Sequence, residues 1–527
     1  MKQKDRLSCL PDDLLHAILR GLPLKQAVRT GALSRLYESQ WLRALADSPV
    51  LNLTDDRGFA RGQPPALSAA TVDRCLRLHA ELGTPLEVFR VALVCPSGPG
   101  GQDVIGWVAA ALRRGAREVE VDLAPPLLPP PPEEEEEEEE QEDDKEEEDP
   151  HAGHEALLEL PADLFEARNS LERLALGRFS LGAVPLPAAG LAGLRSLSLS
   201  HVDVTDEALR RLVANCRALE VLSLRRCSRL AKVSVASETL RVLELVGCRG
   251  MEELRVAAPA LESFALHCHV FVPDPDRPWD YGCPPVEVEL LGPPALRDAY
   301  LSHIGCDHCL DWQHVALYPS LCLDVVLARI LTICSVGLQL VDSFDWLSPF
   351  REMPNLEELQ LLLMDSQLDV MYSQLDFEVV SSFFKLIPLP VLQRLFVRLV
   401  IDPEPERRGG SSSAAVWSVE NDDSEDMAPK KEIVLDQLTF VKFVNFSGTW
   451  HGLRLLSFFL ERAPVLQQLV LVTPEGEGAP EDDRLKVIHE RVSALEKASS
   501  EASISVCRPK EDDSPNHPHT RYFHEEL

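Results

Sequence analysis

Between residues 171 and 245 the apolar and polar positions follow one scheme. Leu171, Leu174 and Leu176 fit L-x-x-L-x-L, as do Leu194, Leu197 and Leu199, then Leu219, Leu222 and Leu224, then Leu240, Leu243 and Leu245. The motifs start at 171, 194, 219 and 240, so they lie 23, 25 and 21 residues apart. A period in that range marks a solenoid, because one repeat cannot bury its own apolar face and must stack on the next. Each L-x-L reads as a short strand with its leucines inward, and the stack as a curved sheet. Cys227 and Cys248 follow the last leucine of their motifs by three residues, and are read as small buried turn residues. Half a period later runs a weaker pattern, Leu230, Val233, Val235 and Met251, Leu254, Val256. It leaves little room for helix, so the outer side is expected to be strand or irregular there. Asp206 to Ala214 is the exception, with Leu209, Leu212 and Val213 at helical spacing.

The same reading extends to both sides. Thr71 to Leu82 has helical spacing in Val72, Leu76 and His79, Leu86 to Val94 alternates as a strand, Asp103 to Arg114 is helical, and Glu118 to Leu123 alternates again. Downstream, Pro259, Pro294, Pro354, Pro390 and Pro464 each stand two residues before a leucine. Proline stops a preceding helix, so it punctuates repeats whose leucine spacing is poor. The repeats are therefore expected to run from 71 to 400, with an insertion at 270–295. Residues 401–435, rich in Gly, Ser, Pro and acid, read as a flexible linker. A strand over Leu438 to Phe446, a helix over Gly452 to Arg462, a strand over Leu466 to Val472 and a helix over Lys486 to Lys497 follow. The polar tail, 501–527, is expected to fray from Pro509.

The N-terminus follows another rule. Pro11 can open a helix, Asp12 and Asp13 suit its first turn, and Leu14, Ile18 and Leu22 recur every four residues until Pro23. Two further short patterns follow, around Leu24, Ala27 and Val28, and around Tyr37, Trp41 and Leu45. Three short helices over about 40 residues cannot bury that much apolar surface among themselves, which suggests a partner surface.

The order L-P-D-D-L-L-H-A-I-L, then L-P-L-K-Q-A-V-R-T, then L-S and a Trp closely resembles the F-box of plant proteins. The resemblance implies docking on a Skp-type adaptor and, through it, a cullin-based ubiquitin ligase. By position, the adaptor-facing residues would be Leu10, Pro11, Leu14, Ile18, Leu22, Pro23, Val28 and Leu33. The chain departs from the family at Gly31 and at Leu36-Tyr37 and Gln40-Trp41, where Arg-Trp and Leu-Trp are usual. Residues 436–500, with F-x-G, a Leu-Phe-Leu helix and A-P-V-L, resemble the FBD segment of the same proteins, and L-P-A-D-L-F at 160–165 adds to the likeness. The whole is similar to the F-box, leucine-rich-repeat and FBD proteins of grasses. The expected organisation is F-box 1–50, linker 51–70, repeat solenoid 71–400, linker 401–435, FBD-like segment 436–500 and tail 501–527. The fold class is α/β, with a three-helix F-box, an irregular leucine-rich-repeat solenoid and an FBD-like cap.

Charge and chemistry change this picture little. The net charge of the 527 residues is −33. Residues 133–149 hold 15 acidic residues and one Lys, a local −14. With the prolines before it, this run reads as a disordered insertion, 124–154, in a surface loop. The rest is still acidic, which disfavours nucleic acid. No run of about 18 apolar residues marks a membrane span, and the charged N-terminus leads straight into the F-box with no signal peptide. The 13 cysteines are odd in number and scattered, which suits a reducing cytoplasm or nucleus. No Walker loop, nucleophile elbow or H-E-x-x-H is found, so no catalytic residue and no cofactor is expected. Cys306 and Cys309, with His303, His308 and His314 nearby, have half the spacing of a zinc site but no second C-x-x-C; His267, Cys268 and His269 alternate along an expected strand. Neither is read as a metal site.

The function expected is a non-catalytic substrate receptor of a ubiquitin ligase, with the repeat surface holding an unknown target protein through positions such as Ser196, Ser198, Ser223 and Glu244. The alternatives are an interaction scaffold without a ligase link and a repeat receptor that senses a small ligand.

Overall fold

The computed structural model describes residues 11, 13–14, 17–18, 48–54, 69–83, 85–94, 100–124, 157–161, 164, 170–182, 189–248, 250–269, 287–291, 296–304, 325–335, 338, 352–363, 372–399, 433–475 and 482–525. They fall into two compact units, Met1–Leu240 and Arg241–Leu527.

In the first unit, β1 (Val50–Leu53), α1 (Ala69–Leu82), β2 (Val88–Val94), α2 (Gly100–Arg113) and β3 (Glu118–Ala124) lead into the leucine repeats. These are β5 (Arg173–Gly177), β7 (Ser196–Ser200), α3 (Asp206–Asn215) and β8 (Val221–Arg225), while β4 (Leu158–Glu159) and β6 (Phe179–Ser180) form a small side pair and β9 (Lys232–Ala236) follows. The sheet order is β1-β2-β3-β5-β7-β8, parallel throughout. Leucines of the second and third motif positions, such as Leu197, Leu199, Leu222 and Leu224, are wholly buried. Burying each contributes about 1.5–3 kcal/mol. The first motif leucine precedes its strand by two residues and packs in the turn leading into it, as Leu194 and Leu219 do.

The helices expected over 71–82, 103–114 and 206–214 are present as α1, α2 and α3, and polar contacts tie them down. Trp107 Nε1 donates to Asp73 Oδ1 at 2.6 Å, joining α2 to α1. The buried His79 meets Ser48 O through Nε2 at 2.8 Å. In α3 the Thr205 hydroxyl accepts from the Ala208 amide, and the Asp206 carboxylate accepts from the Ala231 and Lys232 amides, both at 3.0 Å. That carboxylate fixes the helix start against β9. Cys227 is fully buried, with Sγ 3.7 Å from Leu199 O, in keeping with its turn role.

β5, β7 and β8 are each followed by a left-handed residue, Arg178 (φ 62), His201 (φ 53) and Arg226 (φ 51). The positions just before the strands carry alternating charge, Glu87, Arg117, Glu172, Arg195 and Glu220. Arg117 pairs with Glu172 and Arg195 with Glu220, both at 2.5 Å.

The second unit contains β10 (Val242–Val246), β11 (Glu253–Ala257), β12 (Ser263–His269), β13 (Glu287–Leu290), β14 (Asp298–Ile304), β15 (Ile330–Cys334) and β16 (Glu358–Leu362). After these come α4 (Tyr372–Leu386), β17 (Arg394–Arg398), β18 (Phe440–Val444), α5 (Trp450–Leu460), β19 (Gln468–Val472), α6 (Asp482–Ser493) and β20 (Ser503–Cys507). Its sheet order is β10-β12-β14-β15-β16-β17-β18-β19-β20, again parallel. β11 pairs with β13 half a period away, so the outer side here carries strand, as the second apolar pattern suggests. Each punctuating proline leads into a buried leucine, Leu261, Leu296, Leu356, Leu392 or Leu466, which again sits two residues before its strand.

The F-x-G of residues 446–448 has a physical reason. Gly448 has φ +74, and a Cβ there would lie 2.9 Å from Ile488 Cγ1 of α6. Only glycine lets the loop pass.

Two expectations need correcting. Residues 51–53, assigned to the linker 51–70, belong to β1, because Leu51 and Leu53 complete the apolar row at 0% exposure. The tail 501–527 is not frayed from Pro509: β20 extends the sheet beyond the FBD-like segment, and two short 3-10 turns, Pro509–Glu511 and Pro518–Glu525, follow it. The linker 401–435 except its last three residues, the acidic insertion beyond Ala124 up to 154, and the second and third helices of the F-box lie outside the described residues.

Candidate functional site

Two surfaces bear on function. The first is the start of the chain. Pro11 is exposed and its carbonyl accepts from the Leu14 amide at 3.0 Å, which opens a helical turn. Asp13, Leu14, Ala17 and Ile18 are helical and exposed. Leu14 is 54% and Ile18 43% exposed, so two apolar side chains four apart face solvent on one side of a helix. Of the sequence-predicted adaptor residues, Leu10, Leu22, Pro23, Val28 and Leu33 lie outside the described residues.

The second surface is the sheet face opposite the leucines. In the first unit the central row of that face, strand by strand, is Asn52, Arg90, Glu120, Ala175, Ser198 and Ser223. All but Ser223 are partly or fully exposed. Arg90 lies 2.9 Å from Glu118 and 3.4 Å from Glu120. Ser196, half-buried, stands beside the row on β7.

In the second unit the equivalent row is Glu244, Ala265, Tyr300, Thr332, Gln360, Phe396, Lys442, Val470 and Ser505. From Glu244 to Val470 every member is buried. From Glu244 to Lys442 the C-terminal segment lies over the row. Lys442, 1% exposed, donates from Nζ to Asp512 Oδ2 and Asn516 Oδ1, both at 2.6 Å, and to Pro515 O at 3.3 Å. His517 stacks edge-on against Phe396 at 5.1 Å. His519 bridges Thr332 Oγ1 at 2.7 Å and the Asp298 carboxylate. Tyr522, fully buried, packs 4.7 Å from the Tyr300 ring, and its hydroxyl donates to Glu244 Oε1 at 2.9 Å. Arg521 reaches the same carboxylate at 3.1 Å.

Electrostatics follow from this cover. Burial pushes the Tyr522 hydroxyl up, and the Glu244 carboxylate beside it pushes the same way. Burial, with His519 and Arg394 adding to it, holds His517 neutral, down to a pKa of about 2. Burial opposes the Asp512 carboxylate, yet hydrogen bonds from Lys442 and Ser514 outweigh it and hold its pKa below the ordinary value.

Of the four positions read from sequence as target-facing, Ser196, Ser198, Ser223 and Glu244 do lie on this face, but Glu244 is held by the tail. The sequence reading missed the tail. The signal was Lys442 inside F-V-K-F-V, a cation in an otherwise apolar strand that needs a partner. The Cys306, His308, Cys309 and His314 cluster lies outside the described residues, as does the His303 side chain; His267 and Cys268 are buried on successive positions of β12.

Comparison with known proteins agrees with the sequence. Residues 7–43 match the F-box domain, residues 149–285 the leucine-rich repeats described for FBD-associated F-box protein At5g56370, and residues 432–471 the FBD. Among similar Arabidopsis thaliana proteins, F-box protein At5g03100 is 25% identical over 263 residues, 50% of this chain and 69% of its own length. FBD-associated F-box protein At4g10400 is 28% identical over 50% of this chain and 55% of its own length. F-box/FBD/LRR-repeat protein At3g52680 is 30% identical over 42% of this chain and 41% of its own. The chain thus spans between about two fifths and two thirds of the lengths of these relatives.

Proposed function

We propose that this chain, carrying the F-box, leucine-rich-repeat and FBD regions of plant F-box proteins, is the substrate-recognition subunit of a Skp-cullin-F-box-type ubiquitin ligase. The observation that carries the reading is the outward pair Leu14 and Ile18 inside the F-box match. Exposed apolar side chains at helical spacing suit a hydrophobic partner groove. The F-box binds a Skp-type adaptor and through it a cullin, and the repeat surface holds a target protein. The chain performs no chemistry. It raises the concentration of target lysines near a ubiquitin-loaded enzyme recruited elsewhere. Residence in the nucleus or cytoplasm goes with this role.

Co-purification of the full chain with a plant Skp-type adaptor tests the reading. Capture by the wild type and its loss in Leu14→Asp/Ile18→Asp supports it; absence of capture by a folded wild-type chain overturns it. Gly31 and Tyr37, which depart from the usual third helix, favour one rival: an interaction scaffold that holds a target but no adaptor. Under that reading the double substitution leaves every interaction unchanged.

A further inference from the structure

The face that repeat proteins commonly use for recognition is, in the second unit, already occupied by residues 512–522 of the same chain. We propose that this face is a peptide-docking groove, that residues 512–522 are its cis occupant, and that a target segment of the same chemistry displaces them. That chemistry is a segment with a carboxylate at one end for Lys442, an imidazole for Thr332 and Asp298, and a phenol at the other end for Tyr300 and Glu244. The proposal concerns the second unit alone and does not depend on the F-box binding any adaptor.

Three observations carry it. The first is geometric. From Lys442 on β18 to Glu244 on β10 is six strand spacings, about 29 Å at ~4.8 Å each. The eleven residues from Asp512 to Tyr522 would reach about 33–36 Å if fully extended; with a 3-10 turn from Pro518 the segment is shorter than that, and its side chains touch the row at Lys442, Phe396, Thr332, Tyr300 and Glu244. It lies across the strands as a ligand does.

The second is the kind of bond. Among the described residues no backbone–backbone hydrogen bond joins 509–525 to the sheet. The tail's own amides stay local: Thr520 N donates to His517 O at 3.1 Å, His519 N to His517 Nδ1 at 3.2 Å, and Ser514 N to Asp512 Oδ1 at 3.0 Å. The segment can therefore leave without opening a ladder or breaking the sheet. A tail that was one more strand of the fold could not.

The third is an imperfect fit. His517 Nε2 and Tyr300 Oη are buried at the contact and find no protein partner. Each such atom weakens the contact, because a buried polar atom without a partner keeps its desolvation penalty. A segment that pairs Tyr300 Oη and buries no unpaired imidazole of its own binds the face better than the tail does, and the tail then acts as a competitor at the high effective concentration that a covalent link provides.

The test uses the full chain and a fluorescein-labelled synthetic peptide of residues 509–527. Wild type takes up the peptide weakly, because its own tail holds the groove. Asp512→Ala/Tyr522→Ala loosens the cis copy and takes up the peptide at least tenfold more tightly. Adding Lys442→Met to that variant lowers uptake at least tenfold. Equal uptake by wild type and the double variant, or uptake indifferent to Lys442→Met, overturns the proposal. Should the double variant lose its cooperative melting transition, hydrogen exchange on the wild type decides. A Thr520 amide that exchanges at least a hundredfold faster than the Leu361 amide, and faster still with free peptide present, supports a displaceable tail. Protection equal to that of Leu361 makes the tail a fixed part of the core and sinks it.

Discussion

The two units present the same sheet face in opposite conditions. In the first, the row from Asn52 to Ser198 is small or polar and meets solvent. In the second, the row holds Tyr300, Phe396 and Lys442 and is buried under the chain's own end. Inward apolar side chains are buried in both, so the inner core does not distinguish them. The difference lies in the residues between the leucines. Serine and paired charge tolerate water, whereas a buried tyrosine, phenylalanine and lysine require a cover. The row between the leucines therefore tells which part of a repeat sheet is open.

The sharpest way to break this comparison is to remove a charge from each face. Asp512→Ala leaves Lys442 buried without its carboxylate, and the loss of unfolding free energy should be about 3–5 kcal/mol, read by urea denaturation. Arg90→Ala on the open face should change it by no more than about 1 kcal/mol. Equal effects would mean that the two faces are alike.

Next comes volume. Tyr522→Ala empties a site shared with Tyr300, Val246 and Cys334 and should cost about 3 kcal/mol. Ser198→Ala on the open face should stay within about 0.5 kcal/mol. The same denaturation curves report both.

Acid sharpens the comparison further. Burial holds His517 neutral down to about 2, and burial, with Arg178 and Arg226 nearby, holds His201 neutral down to about 4. In the unfolded chain both take up a proton near pH 6.5. The unfolded state then binds more protons, so stability falls as pH drops below 6.5. Each histidine should cost about 2 kcal/mol between pH 7 and pH 5. The His201 share stops growing near pH 4, while the His517 share grows towards pH 2. Melting temperatures of wild type, His201→Phe and His517→Phe across pH 3–7 check this: each substitution flattens the acid slope, and His517→Phe does so over the wider range.

The smallest effect concerns the strand ends. The first unit places left-handed Arg178, His201 and Arg226 after strands, and the second places Gly247 (φ 71) after β10 and Asn445 (φ 63) after β18. Gly247→Ala should cost about 1 kcal/mol, measurable as a small fall in melting temperature.

Much of the repeat architecture was legible because its signal is local. Leu197 and Leu199, or Val119 and Val121, announce a strand by alternation, and Leu209, Leu212 and Val213 announce a helix by spacing. Proline at 259, 354 and 464 marked the register where leucines were irregular. The tail was not legible, because nothing in D-D-S-P-N-H-P-H-T-R-Y is periodic or rich in apolar residues. Its burial comes from Lys442, Tyr300 and Glu244, up to 278 positions away in the chain. At the N-terminus, Pro11, Leu14 and Ile18 could be placed by spacing, and the two of them that are aliphatic point outward as an unpaired helix face does.

The alternating charges just before the strands of the first unit set a rule for how such a protein can change its length. Glu87, Arg117, Glu172, Arg195 and Glu220 keep opposite signs adjacent only while the repeats stay in sequence. Duplicating or deleting a single repeat would bring two like charges together; copying or losing two at once would keep the alternation. Growth and shrinkage by pairs is the path of least resistance that this edge leaves open to evolution.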